Sequence, residues 1–226
     1  MNLFKCVNGL RFRILKGGKI SLVVAALFAS NVAYAACDSS IFEAGDGNST
    51  TPWEINTKEQ LLSFASECAT DYATALANTP NKHFKLTSDI DLSAATVFTK
   101  AIIPYFFGSF DGDGHKVTDF TFDGNNSGNT FYNPGLFGYV TTDVTQVTDG
   151  ITIKNIGVES CQIGNTNNSD QFNYAGGIIG SASGDSTKKV IVDNVYSKCN
   201  INTTGVDVGG IIGQMNGYVE ISNAYS

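Results

Sequence analysis

The residues whose types and spacing could do chemistry gather in Asp111-Gly-Asp113-Gly-His115. Two carboxylates two residues apart can share a Ca²⁺ ion, and Asp119 or Asp123 would supply a third acid. The stretch lacks the further oxygen ligands in register, and the closing Glu, that an EF-hand loop needs. Its plainer reading is a glycine turn in which Asp bonds its own backbone. Asp89 and Asp91 share a strand face. Glycoside hydrolysis needs two carboxyls across a sugar, whereas one acid pair on an alternating strand is solvated surface. Gly184-Asp185-Ser186 echoes the surroundings of a serine-protease nucleophile, but Thr187 replaces the closing glycine, so a loop is expected. His83, between Lys82 and Phe84, reads as a strand-edge residue rather than a base. His83 and His115 lack ligand spacing and no Cys-x-x-Cys occurs, so no metal, cofactor or catalytic residue is assigned.

Tyr105, Tyr132, Tyr139, Tyr174, Tyr196 and Tyr218 could line a carbohydrate platform, although tyrosine is also an ordinary strand residue. Asn48-Ser-Thr50 and Asn202-Thr-Thr204 match the N-glycosylation pattern; Asn168-Ser-Asp170 does not.

The elements that must carry these residues are set by a repeat. Gly135-Leu-Phe-Gly138 returns as Gly177-Ile-Ile-Gly180 and as Gly210-Ile-Ile-Gly213. Each is followed by a second apolar segment around Asn155, Asn194 or Asn223. The period is uneven, roughly 30 to 40 residues, in the range of stacked repeat architectures, which tolerate variable insertions. Alternating apolar residues would face a narrow interior, and the glycines would sit where the chain bends. Asn tolerates left-handed turns and can hydrogen-bond to an Asn in the next repeat.

Charged residues are only 15%, with 24 glycines and four prolines, which fits a β-rich exported chain. Residues 1–35 read as a secretory signal: a basic start, the apolar run Ile20–Ala29, and Ala33-Tyr-Ala35 before the cut. The run is too short to span a bilayer. Acylation at Cys37 is the weaker alternative, because Tyr34 stands where a Leu-like residue is needed. Five of the 14 Lys+Arg precede Ala35, leaving nine against 21 Asp+Glu, a mature net charge of −12. Such a surface repels phosphate backbones, so nucleic acid is excluded as a partner.

Residues 36–93 are expected to form a cap. Thr57 and Gln60 make a capping box, and Leu61, Leu62, Phe64, Ala65, Cys68 and Ala69 form a helical apolar stripe running to about Thr70, or on to Leu76. Phe84, Leu86, Ile90 and Leu92 then alternate as strand residues. The helix would cover the open end of stacked strands. Residues 94–226 carry the repeats and stop inside one, which reads as the first piece of something longer. Four cysteines remain after the signal. Three pairings are possible; Cys37–Cys68 and Cys161–Cys199 are preferred, the latter because both occupy the same place in consecutive repeats.

The order Leu86-x-x-Asp89-Ile-Asp-Leu92, Gly108-x-Phe110-Asp-Gly-x-Gly-His115, Gly135-Leu-Phe-Gly138 and the later Gly-Gly-Ile-Ile-Gly repeats resembles the GLUG-motif family of bacterial secreted and surface proteins. The resemblance runs from about Gly45 to the end. It implies an all-β fold, a right-handed parallel β-helix (solenoid) with an N-terminal capping helix. It also implies a secreted or outer-surface adhesin or stalk without catalysis, meeting host-cell, glycan or matrix ligands, with no membrane span after signal removal. The alternative is a polysaccharide hydrolase or lyase, which would need acids converging in a groove. A passive surface-layer or matrix component is a third possibility.

Overall fold

A computed structural model describes residues 6–7, 10–11, 37–95, 97–122, 133–164, 174–203 and 206–226, the first two pairs as backbone only. Two compact units are present. The first, Met1–Val32, is described at two short antiparallel strands, β1 (Cys6–Val7) and β2 (Leu10–Arg11). The rest of the expected export signal lies outside the described residues, as do Asp123, Tyr132, Asn168-Ser-Asp170 and Thr204. The second unit is Ala33–Ser226.

That unit begins with a helical crossover. In β3 (Trp53–Ile55) the two outer residues are buried. Thr57 ends the strand and starts α1 (Lys58–Ser63) with the expected capping box. Its hydroxyl accepts the Gln60 N–H at 3.2 Å, and the Gln60 side chain accepts the Thr57 N–H at 3.1 Å. A π-helical turn, Phe64–Cys68, follows and buries Phe64, Ala65 and Cys68. Asp71 then caps α2 (Tyr72–Asn78), its carboxylate accepting the Thr74 N–H and hydroxyl, both at 2.9 Å. The chain returns as β4 (His83–Leu86), parallel to β3 with Trp53 beside Phe84 and Ile55 beside Leu86. Parallel neighbours cannot be joined by a hairpin; here the helices make the crossing.

Further strands are β5 (Ile90–Asp91), β6 (Ile103–Phe106), β7 (Ser109–Asp111), β8 (Lys116–Thr118), β9 (Thr121–Phe122) and β10 (Phe137–Thr141). They continue as β11 (Ile151–Ile163), β12 (Tyr174–Gly176), β13 (Ile179–Gly184), β14 (Val190–Ile201), β15 (Asp207–Gly209), β16 (Ile212–Gly217) and β17 (Val219–Tyr225). A four-stranded parallel sheet has the order β16-β13-β10-β6. A nine-stranded one follows β17-β14-β11-β7-β4-β3, with β8 and β9 also on β11 and β5 on β8. β12 and β15 form a parallel pair. The recurrent glycine-flanked pairs enter neighbouring strands of the four-stranded sheet, where Phe137, Ile179 and Ile212 are in register.

These sheets correct the expected fold class. The all-β right-handed parallel β-helix with a capping helix is not adopted. The strands divide among sheets of unequal size, range from two to 13 residues in length, and do not stack as one helical repeat. The helical segment is the connection between β3 and β4 and contributes Leu61, Phe64 and Cys68 to the core. The result is a sheet-based α/β fold. The repeat in the sequence records where strands pair; a uniform stack does not follow from it, because the crossover and the unequal sheets interrupt the pattern.

An aromatic core joins the parts. Phe106 of β6 lies 6.2 Å from Phe64 of the helical segment, 5.5 Å from Phe84 of β4, 6.3 Å from Phe110 of β7 and 5.1 Å from Phe137 of β10. All five rings are essentially inaccessible. Burial of each contributes roughly 1.5–3 kcal/mol relative to exposure. Both preferred disulfides are present: Cys37–Cys68 ties the chain before β3 to the π-helical turn, and Cys161–Cys199 joins β11 to β14. The second sits just past a register shift at Ser160, whose φ is 52°.

Candidate functional site

The acids singled out in the sequence are mostly already paired, and the structure brings His115 to Asp89 but not to a converging set of acids among the described residues. Asp111 accepts the Asp113 N–H at 2.8 Å and the Asn155 side-chain amide at 2.9 Å, and lies 3.2 Å from the Lys154 ammonium. Burial pushes its carboxyl up, but the Asn155 amide, the Asp113 N–H and Lys154 together outweigh that and hold it below the usual range. Asp113, at φ 53°, pairs with Lys85 at 2.9 Å. His115 Nδ1 is 3.1 Å from Asp89, which also accepts the Lys116 N–H. Asp91 accepts the Ser93 N–H. Among the described residues no three acids, histidines or cysteines converge as a metal site. Asp185 accepts the Thr187 N–H and hydroxyl in the turn between β13 and β14, so Gly184-Asp185-Ser186 lies in a loop. His83 pairs in register with Ser109 on β7. Burial lowers its pKa, while Asp149 opposes the shift.

The tyrosines divide between sheets. Tyr196 and Tyr225 stack at 5.2 Å on the nine-stranded sheet, Tyr174 pairs with Asp207 in β12–β15, and Tyr218 is exposed between β16 and β17. Tyr105 and Tyr139, however, are register partners on β6 and β10. Their rings meet edge to face at 6.4 Å, and Tyr72 of α2 meets Tyr105 at 5.9 Å. Gly138 brings the two strands together: a Cβ there would lie 2.5 Å from the Pro104 carbonyl oxygen and 2.9 Å from Ala101 Cβ.

These residues make a groove of about 220 Å³ lined by Tyr105, Tyr139, Lys100, Asp71 and Asn133, among others. Lys100 spans from the strand side to the helical segment, donating to the Thr70 carbonyl and hydroxyl, both at 3.1 Å. The Asp71 carboxylate is held below its ordinary range chiefly by the Thr74 N–H; Lys100 adds a smaller pull. Neither groove tyrosine hydroxyl has a hydrogen-bond partner among the described residues, whereas the Tyr196 hydroxyl donates to Glu159. The groove thus offers two ring faces or edges, an ammonium, a carboxylate and an amide within one concave surface. Half of this was visible in the tyrosine pattern. Tyr72 and Asp71 carried no signal in the sequence because only the helical crossover brings them to β6, and Lys100, just before β6, is marked out only by its bond across to Thr70.

No family model matches the chain, and neither does any curated protein. Among solved structures it is similar to a "putative immunoglobulin A1 protease from Bacteroides ovatus", at 18% identity over 83% of this chain and 71% of that one, with a TM-score of 0.39. That likeness is too weak to bear on the fold or the activity of this chain. Two disulfides are present, which fits an oxidising compartment. No helix among the described residues is long and apolar enough to cross a membrane.

Proposed function

We propose that this chain is a non-catalytic adhesion module of the secreted or outer-surface kind, and that it holds a glycan in the groove between α2 and the four-stranded sheet. The observation that carries the reading is the pairing of Tyr105 with Tyr139 across β6 and β10 beside Lys100 and Asn133. Sugars combine apolar C–H faces with rings of hydroxyls, and a few placed polar groups beside aromatic side chains meet both demands. The groove carries one ammonium and one carboxylate, Lys100 and Asp71. That balance favours a neutral, hydroxyl-rich ligand over a charged one.

The absence of turnover is supported by the acids. Asp71 is the groove's one carboxylate among its described lining, and both of its oxygens cap α2. Hydrolysis of a glycosidic bond requires a second carboxyl across the scissile bond. The basic leader, the apolar run and the small-residue cleavage pattern support export, and the resemblance to GLUG-motif surface proteins points to adhesion.

A glycan array followed by titration of the bound sugars tests the reading. Tyr139→Ala is expected to weaken binding about tenfold, corresponding to roughly 1.4 kcal/mol of lost ring contact, with the fold intact by circular dichroism. Release of new reducing ends from a bound polysaccharide would replace adhesion with hydrolysis. Equal binding by wild type and Tyr139→Ala would remove the groove as the ligand site.

A further inference from the structure

The two large sheets are closed at one edge and open at the other. β3 is the outer strand of the nine-stranded sheet, and the chain before it covers its edge. The Glu43 N–H donates to the Glu54 carbonyl and the Glu54 N–H to the Ala44 carbonyl, both at 2.9 Å, while Phe42 stacks on Trp53 at 4.7 Å. β6 is the outer strand of the four-stranded sheet, and the helical segment closes it. The Tyr105 N–H donates to the Ala69 carbonyl at 3.3 Å, and the following Phe107 N–H to the Thr79 hydroxyl at 3.0 Å. On the opposite side β17, β16 and β15 each pair with one strand only among the described residues: β14, β13 and β12. These three edges border one another. The Gln214 amide donates to Asp207 at 3.2 Å, linking β16 to β15, and Ser226, just past β17, lies against Gly210 between β15 and β16. The core runs out onto this face. Val208, Met215 and Ile221 are register partners of the wholly buried Ala175, Ala182 and Val192, yet are themselves 48%, 54% and 41% exposed. Val206, Tyr218 and Tyr225 are exposed as well.

We infer that the face formed by β15, β16 and β17 is an interface with a second copy of this chain, related to the first by a twofold axis. An edge strand with a free row of N–H and C=O groups is a template for another strand. The closed edges decide which part of a copy can supply it. Because β3 and β6 are already covered, a copy has only its own β15–β17 face to offer, so the contact is self-complementary and stops at two chains. Charge permits the approach. Residues 206–226 contain no Lys, Arg or Pro, the residues that usually guard an exposed edge. Their two acids are answered within the chain, Asp207 by Gln214 and Glu220 by Lys189. Other surfaces carry the net negative charge that keeps copies apart. The exposed parts of the six apolar and aromatic side chains come to roughly 600 Å², so two copies would bury about 1,200 Å², the lower bound of a specific interface, before any backbone pairing. The inference is independent of the glycan groove, whose walls are on β6, β10 and the helical segment.

Sedimentation velocity of the purified full chain, across a concentration series from the nanomolar to the high micromolar range, tests this. The expected result is a monomer that passes to a species of twice its mass and goes no further. Met215→Lys places a cation on β16 of both copies and should raise the dimer dissociation constant about tenfold or more. Val208→Lys on β15 is the second variant should Met215→Lys fail to fold, and should act in the same direction. Amide hydrogen exchange in the unsubstituted chain needs no variant: amides of β16 and β17 should exchange more slowly at the dimeric concentration than at the monomeric one, while those of β3 and β6 stay unchanged. A chain that remains monomeric throughout overturns the inference. So does a mass that keeps climbing past the dimer, since that is head-to-tail growth through an edge held here to be closed. A dimer that is indifferent to both lysine variants and leaves β16 and β17 exchange unaltered overturns it too, by placing the contact on another surface.

Discussion

The outer face of the nine-stranded sheet and the groove beside the four-stranded one use similar residues to opposite ends. Across the large sheet, Glu54, Lys85, Asp111, Lys154, Asp193 and Ser222 are successive register partners, a row in which the charge alternates from strand to strand. Beside it, side-chain hydrogen bonds join the left-handed Asn194 to the left-handed Asn155, and Asn155 to Asp111. Farther along, Glu159 accepts from Lys116 at 2.8 Å, Lys198 at 2.9 Å and the Tyr196 hydroxyl at 3.0 Å. Lys85, Asp111, Lys154, Asp193 and Glu159 there are each answered by a neighbouring side chain. In the groove, the Tyr105 and Tyr139 hydroxyls have no hydrogen-bond partner among the described residues. Paired charges on a strand face hold register; unanswered groups in a concavity are what a ligand can use.

The largest expected effect tests whether the two regions are energetically separate at all. Phe106 touches rings on both sheets and on the helical segment. Phe106→Ala should cost about 3–5 kcal/mol and lower one common denaturation transition, followed by urea titration with both fluorescence and circular dichroism. Two separated transitions would mean that the ladder face and the groove belong to independently folding parts.

Next is Gly157→Ala on the ladder face. A Cβ there would lie 2.1 Å from Tyr196 Cζ, so the tyrosine ring, its stack on Tyr225 and its bond to Glu159 must shift. A loss of about 1–3 kcal/mol is expected, read from the melting temperature, with the near-ultraviolet tyrosine signal altered and glycan affinity unchanged. A change in glycan affinity would show that the two regions communicate.

Why the ladder face was easier to anticipate than the groove follows from how each is encoded. Asn155, Asn194 and Asn223 recur at equivalent places, and their φ values of 53°, 51° and 50° match the left-handed turns their type allows. Cys161 and Cys199 share that equivalence, and Thr57 with Gln60 is a local signal. These features are periodic or short-range. The groove is neither: its walls come from residues 70–71, 100–105 and 133–139, the last two joined by the β6–β10 pairing and the first brought to them by the crossover of α1 and α2. The apolar stripe from Leu61 to Ala69 identifies a helix but not whether that helix covers an end or connects two parallel strands. The expected fold class departs from the structure at this point, and the approach of Asp71 and Tyr72 to β6 is hidden for the same reason.

The third prediction uses pH on the ladder face. Lys116, then Lys198, then the Tyr196 hydroxyl hold the Glu159 carboxyl down at about 2, against 4.5 when unpaired. A folded-state pKa below the unfolded one contributes stability that is fully present above pH 4.5 and is lost as pH falls toward 2. Glu159→Gln should therefore be less stable than wild type at neutral pH, and its unfolding midpoint should depend less on pH between those limits, by up to one proton's worth of slope. Identical pH profiles would place the acid sensitivity elsewhere on the face.

The smallest effect is the sharpest test of which side of the comparison Asp113 belongs to. Its carboxylate pairs with Lys85 at 2.9 Å, and both side chains are substantially exposed. An exposed pair of this kind contributes about 0–1 kcal/mol, so Asp113→Asn should shift the melting temperature by little more than the error of the measurement. Calcium at millimolar concentration should leave wild type and variant alike, because Asp111 is already occupied by Asn155 and Lys154 and no third acid joins them among the described residues. A calcium-dependent rise in stability that Asp113→Asn abolishes would instead mean that cations displace Lys85 and Lys154. The charge ladder would then share with the groove the property of holding groups available to a ligand, and the contrast between the two regions would fail at this turn.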